Sequence, residues 1–259
     1  MTIPPYTTSR NLLAGKTALI TAAAGTGIGF AAAKRCAEEG ATLLISDIHE
    51  RRLSEAAQAI QEATGKRPAM QLCDVTKEDQ VQALKAVCLR EFGAAPDILI
   101  NNAGLGGSTA VIEMTDDQWA RVIDVSLTSV FRMCRAFLPA MYERKTGVII
   151  NNASVLGWRA QALQSHYAAA KAGVMAFTRC AAIEAAEHNV RINAVSPSIA
   201  MHAFLAKVTT EEQLAQLSRQ EAFGRPAEVW EIANVMVFLA SEYSSYMTGE
   251  VVSVSSQRA

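Results

Sequence analysis

Short apolar runs alternate along the chain with longer segments in which apolar residues recur every three or four positions. The short runs have strand length, and most are apolar at nearly every position, which is typical of parallel strands covered on both faces. The predicted strands are Thr17–Thr21, Thr42–Ser46, Met70–Cys73, Asp97–Ile100, Gly147–Ile150, Val190–Val195 and Val251–Val254. The predicted helices are Ile28–Glu39, Glu50–Ala63, Lys77–Phe92, Asp116–Tyr142, Tyr167–Glu187 and Glu228–Ala240.

This alternation of strand and helix predicts an α/β fold. Parallel strands joined by helices form right-handed crossovers, and the pattern is typical of a single Rossmann-like doubly wound parallel sheet of about seven strands flanked by helices. We see no linker, repeat or low-complexity tract, so we expect one domain over residues 15–259 after a loose N-terminal arm, residues 1–14. Residues from about 198 to 224 interrupt the alternation just after a strand end, where a substrate lid would lie.

Composition excludes several classes of function. The 24 basic and 25 acidic residues give a net charge of −1, so there is no broad basic field for nucleic acid. The five cysteines form no C-x-x-C pair and do not cluster with the four histidines, so neither a disulfide framework nor a metal site is predicted. No apolar run is long enough for a membrane span, and the start does not resemble a signal peptide. We expect a cytoplasmic protein without nucleic-acid or membrane partners.

A glycine-rich turn follows the first predicted strand and opens the first predicted helix. Its residues are Thr21-Ala-Ala-Ala-Gly25-Thr26-Gly27-Ile28-Gly29. Glycines in such a turn let the backbone approach a pyrophosphate, and the helix N-terminus favours its negative charge. A plain turn is the alternative interpretation, but the position between the first strand and the first helix favours a dinucleotide site.

An acidic residue, Asp47, closes the second predicted strand about 20 residues after the glycine turn. A carboxylate at that place can accept hydrogen bonds from an adenosine ribose and would repel a 2′-phosphate, which favours NAD over NADP. The alternative is a solvated acid that caps the next helix, and Arg51 and Arg52 downstream weaken the preference for NAD. Asp74, after the third strand, either hydrogen-bonds the adenine amino group or caps the helix that begins near Lys77.

Tyr167 and Lys171 lie four residues apart in a predicted helix and therefore share one helix face. A nearby ammonium favours the ionised form of a phenol, so the pair is suited to exchanging a proton with an alcohol or carbonyl oxygen near neutral pH. Ser154 follows the fifth predicted strand, at the sheet end where open α/β folds bind ligands, and its hydroxyl is placed to hold that oxygen. Taken alone, a Tyr–Lys pair at this spacing is usually a surface contact.

Three further strings combine with these residues into a family pattern. They are Asn101-Asn-Ala-Gly104 after the fourth predicted strand, Arg191-Ile-Asn-Ala-Val-Ser-Pro197 at the sixth, and Tyr246-Met-Thr-Gly249 near the end. From about Leu12 onward the chain resembles the short-chain dehydrogenase/reductase family, and the combination of motifs is highly specific. The resemblance implies an enzyme in which a nicotinamide cofactor exchanges a hydride with a substrate carbon.

The resemblance also implies roles for individual residues. Tyr167 is the general acid/base, Lys171 lowers the tyrosine pKa and hydrogen-bonds the nicotinamide ribose, and Ser154 orients the substrate oxygen. The implied cofactor residues, besides Tyr167 and Lys171, are Thr21, Gly25, Thr26, Gly27, Ile28, Gly29, Asp47, Asp74, Val75, Asn101, Ala103, Gly104 and Pro197. We expect residues 15–259 to form a catalytic domain that binds NAD, with NADP as the less favoured cofactor.

The chain departs from the family pattern at four places. The glycine turn is one residue longer than usual and lacks the first glycine. Ser126 stands where the family has an asparagine of the proton relay, so Ser126 is placed in the catalytic set while the relay itself stays open. His202 replaces the usual threonine after Pro197-Ser198, and Ser255-Ser256-Gln257 replaces the common Asp-Gly-Gly.

A more particular resemblance surrounds the predicted catalytic serine. Bacterial dehydrogenases of late steroid degradation are similar to this chain in the strings Asn151-Asn-Ala-Ser-Val-Leu-Gly-Trp-Arg-Ala160, Ser165-His-Tyr167 and Pro197-Ser-Ile-Ala200. Those enzymes oxidise a ring hydroxyl on a bicyclic indane-carboxyl-CoA, so the implied substrate is a CoA thioester. The candidate substrate residues are Trp158, Arg159 and His202. Simple packing for Trp158 and an exposed position for Arg159 and His202 are the alternatives.

Three functions are open from the sequence. The first is an NAD-dependent oxidoreductase that interconverts a secondary alcohol and a ketone on a steroid-derived acyl-CoA. The second is a 3-oxoacyl-thioester reductase that acts on ACP or CoA thioesters with NADPH, against which Asp47 argues. The third is a non-catalytic cofactor-binding scaffold, which only Ser126 favours. The alanine-rich helical run Ala168–Ala186 is of a kind that often pairs across subunits in this family, so a homotetramer or homodimer is expected.

Overall fold

A seven-stranded parallel sheet forms the centre of the computed structural model, which describes residues 2–202 and 210–257. The strands are β1 (Thr17–Thr21), β2 (Thr42–Asp47), β3 (Ala69–Leu72), β4 (Ile98–Asn101), β5 (Gly147–Asn152), β6 (Val190–Pro197) and β9 (Val251–Val254), and a separate pair is formed by β7 (Ala200–Met201) and β8 (Ala227–Glu228). The spatial order of the large sheet is β3-β2-β1-β4-β5-β6-β9. The order reverses between β1 and β4, and doubly wound sheets bind their ligands at this switch point.

Helices connect the strands and cover both faces of the sheet. They are α1 (Ile28–Glu38), α2 (Glu50–Thr64), α3 (Glu78–Phe92), α4 (Asp116–Ile123), α5 (Ser129–Arg144), α6 (Ser165–Ala186), α7 (Glu211–Gln220) and α8 (Val229–Ala240). Short 3-10 turns occupy Val111–Glu113, Val155–Gly157 and Glu242–Ser244, and a π turn, Asp124–Thr128, joins α4 to α5. The predicted doubly wound α/β fold is confirmed. Within the described residues, none of the helices combines the length and the apolar character needed to cross a membrane.

Two hydrophobic layers, one on each face of the sheet, hold the helices in place. On one face, Ile20 of β1 lies in a cluster with buried residues of α1, α2 and α8. On the other face, its neighbour Leu19 lies in a cluster with buried residues of α3, α5 and α6. Successive side chains of a strand point to opposite faces of the sheet. Both layers need apolar side chains from the same strand, which is why β1 is apolar at nearly every position.

The segment predicted as one helix over Asp116–Tyr142 is interrupted. In the π turn between α4 and α5, the backbone N–H of Ser129 donates to the carbonyl of Asp124, five residues back. Ser126 lies in this turn, and its buried hydroxyl bonds the backbone of Leu105. The apolar period does not reveal such a turn, because it inserts a single residue into an otherwise helical pattern.

The predicted lid over residues 198–224 is described only in part. The described part contains β7 and α7, neither of which the sequence predicts, and β7 pairs with β8 beyond the lid. After α7, Glu221 forms a bridge with Gln257 in the segment that follows β9. Residues 203–209 lie outside the described residues, so the lid stays a prediction there.

The N-terminal arm has no regular structure, but it is not loose. Glu39, which follows α1, accepts a 2.9 Å hydrogen bond from the backbone N–H of Arg10. The same carboxylate forms a buried ion pair with Arg35, with 2.6 Å between Oε1 and Nη2. Tyr6 packs edge-on against Trp230 of α8, with 5.3 Å between the ring centroids. The expectation of a loose arm is wrong, because side chains of α1 and α8 hold it through contacts that no local pattern shows.

Candidate active site

The glycine turn lies at the carboxyl end of β1, where the chain passes into α1. Gly25 has a φ of +81°, in the left-handed region that favours glycine, and Ala22 takes a φ of +50° although it carries a side chain. Gly29 has no room for a side chain, because a Cβ there would lie 2.2 Å from Ala22 O and 2.3 Å from Asn102 Nδ2. The turn is therefore packed tightly on the side that faces the sheet.

The other side of the turn is open. A Cβ at Gly27, the N-cap of α1, would meet nothing within 4 Å. No described side chain caps this helix end, and the first turn of α1 holds no acidic residue. The first backbone N–H groups of a helix have no partner within the helix and attract an anion. Gly27 provides the open space, and the backbone N–H groups at the start of α1, that of Gly29 among them, provide the positive end of the helix dipole. Together they form a cradle that suits an anion such as a phosphate.

Asp47, at the end of β2, binds the glycine turn directly. Its Oδ2 accepts a 3.1 Å hydrogen bond from the backbone N–H of Ala24, and its Oδ1 accepts a 3.0 Å hydrogen bond from the backbone N–H of His49. Burial raises the pKa of the Asp47 carboxyl, and this outweighs the lowering by backbone hydrogen bonds and by the charge of Arg52. Asp47 therefore fixes the turn and presents an acceptor group at its edge.

Asp74, just beyond the end of β3, forms a turn before α3. Its Oδ1 accepts hydrogen bonds from the backbone N–H of Thr76 at 2.9 Å and from the Thr76 hydroxyl at 2.7 Å. Val75, between them, is buried. Asp74 therefore stabilises the turn before α3 and does not cap the helix itself. Contact of Asp74 and Val75 with an adenine stays a prediction.

A row of buried amides joins β4 to β5 and to α6. Asn101 and Asn151 are register partners at the carboxyl ends of β4 and β5. Asn101 Nδ2 donates to Asn151 Oδ1 at 2.9 Å, and Asn151 Nδ2 donates to Thr178 Oγ1 of α6 at 2.9 Å. Asn101 is buried, so its side chain supports the site from behind.

A second row of amides lies nearer the glycine turn. Asn152 Nδ2 donates to Asn102 Oδ1 at 2.9 Å, and Asn102 Nδ2 donates to Ala22 O at 3.1 Å. The buried hydroxyl of Thr21 accepts from the backbone N–H groups of Asn102 and Ala103 at 3.0 and 3.2 Å. Thr21 therefore holds the loop after β4. The sequence interpretation gives no role to Asn102 or Asn152; the available signal was that two adjacent strands each end in a pair of asparagines.

Ser154, Tyr167 and Lys171 come together at the carboxyl end of β5. Ser154 follows β5 in an extended conformation, and its Oγ accepts a 3.3 Å hydrogen bond from the backbone N–H of Leu156. Tyr167 and Lys171 lie on successive turns of α6, with 5.6 Å between Lys171 Nζ and the centroid of the Tyr167 ring. A side-chain hydrogen bond links Tyr167 to Ser154. The structure thus brings together the three residues that the sequence selects as catalytic.

Burial dominates the electrostatics of this group. It raises the pKa of Tyr167, and the hydrogen bond with Ser154 lowers that pKa by less. It lowers the pKa of Lys171 to about 8. The expectation that Lys171 lowers the tyrosine pKa below its ordinary value is not met in this structure, because loss of hydration outweighs any attraction between ammonium and phenolate. At neutral pH Tyr167 is therefore a phenol, ready to donate a proton.

Ser126 serves the loop after β4 rather than the lysine. Its Oγ accepts a 2.9 Å hydrogen bond from the backbone N–H of Leu105 and donates a 3.0 Å hydrogen bond to the Leu105 carbonyl. The loop thereby holds Gly104 close to Lys171, since a Cβ at Gly104 would lie 3.2 Å from Lys171 Nζ. In this structure the hydroxyl proton of Ser126 is given to the Leu105 carbonyl, so Ser126 holds this loop. Its place in the catalytic set stays a prediction.

The candidate substrate residues lie on two segments beside the site. Trp158 and Arg159 follow the 3-10 turn after β5, and both are exposed, Trp158 by 51%. The Arg159 Nη1 donates to Gln257 Oε1, a contact that the sequence does not predict. His202 is half-buried, and burial lowers its pKa. Pro197, at the end of β6, is buried.

The arrangement can hold an anion at one place and move a proton at another. The cradle of the glycine turn suits a phosphate group, and the Tyr167 phenol suits an alcohol or carbonyl oxygen. Within residues 2–202 and 210–257, His, Cys, Asp and Glu side chains form no group of three or more that could hold a metal ion. The chemistry that these residues support is therefore proton transfer to or from an oxygen, at the same sheet end as a cradle for an anion.

Comparison with known proteins identifies the family to which the chain belongs. A family model described as "Enoyl-(Acyl carrier protein) reductase" matches residues 22–256. The chain belongs to the short-chain dehydrogenase/reductase family, as its motifs indicate, and it is an oxidoreductase that acts on CH–OH groups.

Individual relatives narrow the comparison. A protein of Mycobacterium tuberculosis (strain ATCC 25618 / H37Rv) is 59% identical over 255 residues, which are 98% of this chain and 97% of that protein, and it is named a (5R,7aS)-5-hydroxy-7a-methyl-1-oxo-2,3,5,6,7,7a-hexahydro-1H-indene-carboxyl-CoA reductase. The crystal structure of a short chain dehydrogenase from Mycobacterium smegmatis is 54% identical with a TM-score of 0.87, covering 99% of this chain and 98% of that chain. A 3-oxoacyl-[acyl-carrier-protein] reductase FabG of Chlamydia muridarum is 35% identical over 244 residues, 94% of this chain and 97% of that protein.

Proposed function

We propose that the protein interconverts a secondary alcohol and a ketone on a ring of a bicyclic indane-carboxyl-CoA, with NAD as its cofactor. The observation that carries this proposal is the convergence of Ser154, Tyr167 and Lys171 at the sheet end that also holds the glycine turn. The name of the 59% identical relative supports the CoA thioester and the bicyclic ring.

The residues present fit a nicotinamide dinucleotide. The cradle at Gly27 and Gly29 would hold the pyrophosphate, and Asp47 would accept hydrogen bonds from the adenosine ribose and repel a 2′-phosphate. Bound there, the cofactor supplies a hydride donor or acceptor. Further contacts are proposed for Gly25, Thr26, Ile28, Asp74, Val75, Ala103, Gly104 and Pro197, while the buried side chains of Thr21 and Asn101 would act from behind.

The chain's own residues handle the substrate oxygen. In the reductive direction Tyr167, a phenol at neutral pH, gives its proton to the carbonyl oxygen; in the oxidative direction its phenolate takes the hydroxyl proton. Ser154, hydrogen-bonded to Tyr167, would hold the same oxygen in reach of the phenol. The Lys171 ammonium, fixed by Asn152 O at 2.6 Å, would hydrogen-bond the ribose and stabilise negative charge on Tyr167 as it forms.

The substrate side of the site is proposed to lie along Trp158, Arg159 and His202. The exposed indole of Trp158 offers an apolar wall for a ring system. The Arg159 guanidinium suits a phosphate of the CoA, because its planar fork matches phosphate oxygens. His202, at the start of the lid, would contact substrate or cofactor.

A 3-oxoacyl-thioester reductase that uses NADPH is the second candidate function, supported by the 35% identity to a FabG protein. Asp47 argues against it, because both of its oxygens lie at the edge of the glycine turn, where a 2′-phosphate would meet their charge. A non-catalytic scaffold is disfavoured, since Tyr167 is hydrogen-bonded to Ser154 and buried beside Lys171.

Steady-state kinetics of the Tyr167→Phe variant test the proposal. With NADH and the oxo-indane-carboxyl-CoA, we expect kcat to fall about a thousandfold, because general acid catalysis contributes on that order, while the Kd for NADH changes much less. Turnover of acetoacetyl-CoA with NADPH in place of NADH would support the reductase alternative instead. Equal rates for Tyr167→Phe and the unchanged protein would contradict both enzymatic proposals.

A homotetramer or homodimer is proposed for the assembly. Helices α5 and α6 expose large apolar side chains, including Phe131 at 42% and Ile183 at 75%, and association of identical chains covers such surfaces. Light scattering coupled to size-exclusion chromatography measures the mass. The mass of one 27.8 kDa chain would contradict this proposal.

A further inference from the structure

The segment that follows β9 connects the lid with the loop that follows Ser154 in the chain. We call this segment, Ser255–Gln257, the carboxyl-terminal strap. On one side, Ser256 donates to Glu221 Oε2 from its backbone N–H at 3.1 Å and from its hydroxyl at 2.9 Å. On the other side, Gln257 Oε1 accepts a hydrogen bond from Arg159 Nη1. The strap therefore joins the base of the lid to a candidate substrate residue.

The lid end of the strap is anchored on a buried carboxylate. Glu221 is 3% exposed, and its other oxygen, Oε1, is buried without a hydrogen bond to any described residue. Ser256 is thus the hydrogen-bond partner on which this carboxylate depends. Release of the strap would leave the buried carboxylate without these hydrogen bonds, which is energetically costly. The backbone adds a bond from Ala222 N–H to Ser256 O. These contacts keep the strap in one place.

The other end of the strap holds a cation without neutralising it. Arg159 is exposed, and none of the ion pairs among the described residues involves it. Its guanidinium is tethered by the neutral amide of Gln257 and so keeps its full charge and further N–H donors. A carboxylate at position 257 would hold the same group but would cancel the charge. The tether is suited to orienting Arg159 for an anion from outside.

The backbone of Arg159 is fixed as well. Its N–H donates to Val155 O at 2.9 Å, within the 3-10 turn after Ser154. That turn packs closely on α6, because a Cβ at Gly157 would lie 2.6 Å from Met175 Cε. Backbone and side chain together hold the guanidinium at a set position relative to Ser154 and α6.

The residues that make these contacts stand where the family commonly has Asp-Gly-Gly. Two glycines could provide neither the Ser256 hydroxyl that bonds Glu221 nor the Gln257 amide that bonds Arg159. The strap is therefore a feature of this sequence rather than a general consequence of the fold.

We propose that Gln257 is a positioning residue for CoA thioesters: it holds Arg159 so that the guanidinium binds a phosphate of the CoA moiety. The inference rests on the proposed function and adds to it the residue that sets the specificity for CoA. Arginine binds phosphate through two parallel, charge-assisted hydrogen bonds, which require a fixed fork. A neutral tether in a fixed strap supplies that orientation.

Kinetics on two thioesters of the same indane acid test this role. One substrate is the CoA thioester, and the other is the N-acetylcysteamine thioester, which lacks the phosphates. For Gln257→Ala we expect KM to rise about tenfold for the CoA thioester, the loss of one charge-assisted interaction, with kcat unchanged and with no change in KM for the N-acetylcysteamine thioester. Gln257→Glu should raise the same KM, because it pairs with Arg159 and cancels the charge. Gln82→Ala, on α3, is the matched control.

A double variant shows whether the two residues act together. Arg159→Ala should reproduce the effect of Gln257→Ala, and Arg159→Ala/Gln257→Ala should add nothing further. Additive effects, or equal changes in KM for both thioesters, overturn the inference. If the unchanged protein converts neither thioester, the proposed function fails, and calorimetric titration with CoA alone then decides: a Kd weakened by Gln257→Ala supports the role of Gln257, and an unchanged Kd overturns it.

Discussion

The Lys171 ammonium donates a 2.6 Å hydrogen bond to the backbone carbonyl of Asn152 in the interior of the protein. This carbonyl provides a partner for the charge but no opposite charge. Burial lowers the pKa of Lys171 from 10.5 to about 8, because the ammonium loses its hydration. The site therefore contains a cation that the fold must stabilise at neutral pH, and this has a consequence for stability.

We expect Lys171→Met to stabilise the protein at pH 7 while abolishing activity. The folded pKa lies below the unfolded one, so below pH 8 both states carry the proton and the full penalty of burial, about 3 kcal/mol, is present. As the pH rises from 8 towards 10.5, the folded state loses its proton first and the penalty disappears. Urea unfolding should therefore show a stability gain for Lys171→Met that narrows between pH 8 and pH 10.

The control for this experiment is Lys66→Met at an exposed position, where we expect a change within about 0.5 kcal/mol. A gain of constant size from pH 7 to pH 10 would mean that packing of the methionine, and not the buried charge, is responsible.

Two substitutions in the glycine turn should have opposite outcomes. Gly29→Ala places a Cβ 2.2 Å from Ala22 O, so the turn must move, and we expect NADH affinity to fall at least about tenfold with a stability loss of about 1–3 kcal/mol. Ala22 has a φ of +50°, and a residue with a side chain loses about 1 kcal/mol of stability in this left-handed region. Ala22→Gly removes that cost, but the greater freedom of glycine in the unfolded chain offsets part of the gain in stability. It should keep NADH binding. Fluorescence titration and thermal unfolding measure both quantities, and equal losses of affinity in the two variants would contradict this interpretation of the turn.

Asp47→Asn tests the choice of cofactor. The amide oxygen can still accept the backbone hydrogen bond from Ala24 that holds the turn, while the bond from His49 and the negative charge are lost. We expect the preference for NADH over NADPH, measured as a ratio of Kd values, to fall about tenfold or more, because repulsion of the 2′-phosphate disappears. Asp74→Asn is the control for removing one acidic charge near the site. An unchanged ratio in Asp47→Asn would assign the preference to other residues.

Glu39→Ala should release the N-terminal arm. It removes one of the two carboxylates that pair with the Arg35 guanidinium, since Glu38 still pairs with Nη1. It also removes the acceptor of the Arg10 backbone N–H, and leaving such buried donors without a partner costs about 1–3 kcal/mol. Faster trypsin cleavage at Arg10 and a lower urea midpoint are the expected results. We expect kcat to be unchanged, because the contacts that hold the arm are made with Glu39, α1 and α8 and not with Ser154, Tyr167 or Lys171. Glu55→Ala, in an exposed pair with Arg51, should change stability by less than about 1 kcal/mol. A stable Glu39→Ala variant with a protected arm would contradict the role of Glu39.

The inner strands of the sheet could be predicted from the sequence because they are covered on both faces. Leu19 and Ile20 of β1 serve opposite layers, so a nearly continuous apolar run marks such a strand. The edge strand β3 is half exposed, yet every predicted strand of the large sheet overlaps an observed one. The candidate site was predictable where its residues are close in sequence, as Tyr167 and Lys171 are, or lie in short strings such as the glycine turn.

The remaining contacts join distant parts of the chain and leave no local pattern. Ser126 bonds Leu105, and Arg159 bonds Gln257. Neither pair has a spacing that indicates a contact. The direction of the pKa shift of Tyr167 could not be predicted from the sequence either. It depends on burial, which outweighs the effect of the neighbouring Ser154.

The amide rows between β4 and β5 have a consequence for how the protein can evolve. Asn101 with Asn151 and Asn102 with Asn152 lock together the strand ends that carry the cofactor loop and the serine loop. The loop over residues 155–164 and the lid lie outside these rows. Mutations in these loops can change which substrates the protein binds without disturbing the strand ends that align the reacting groups. Substrate specificity can therefore evolve one loop at a time.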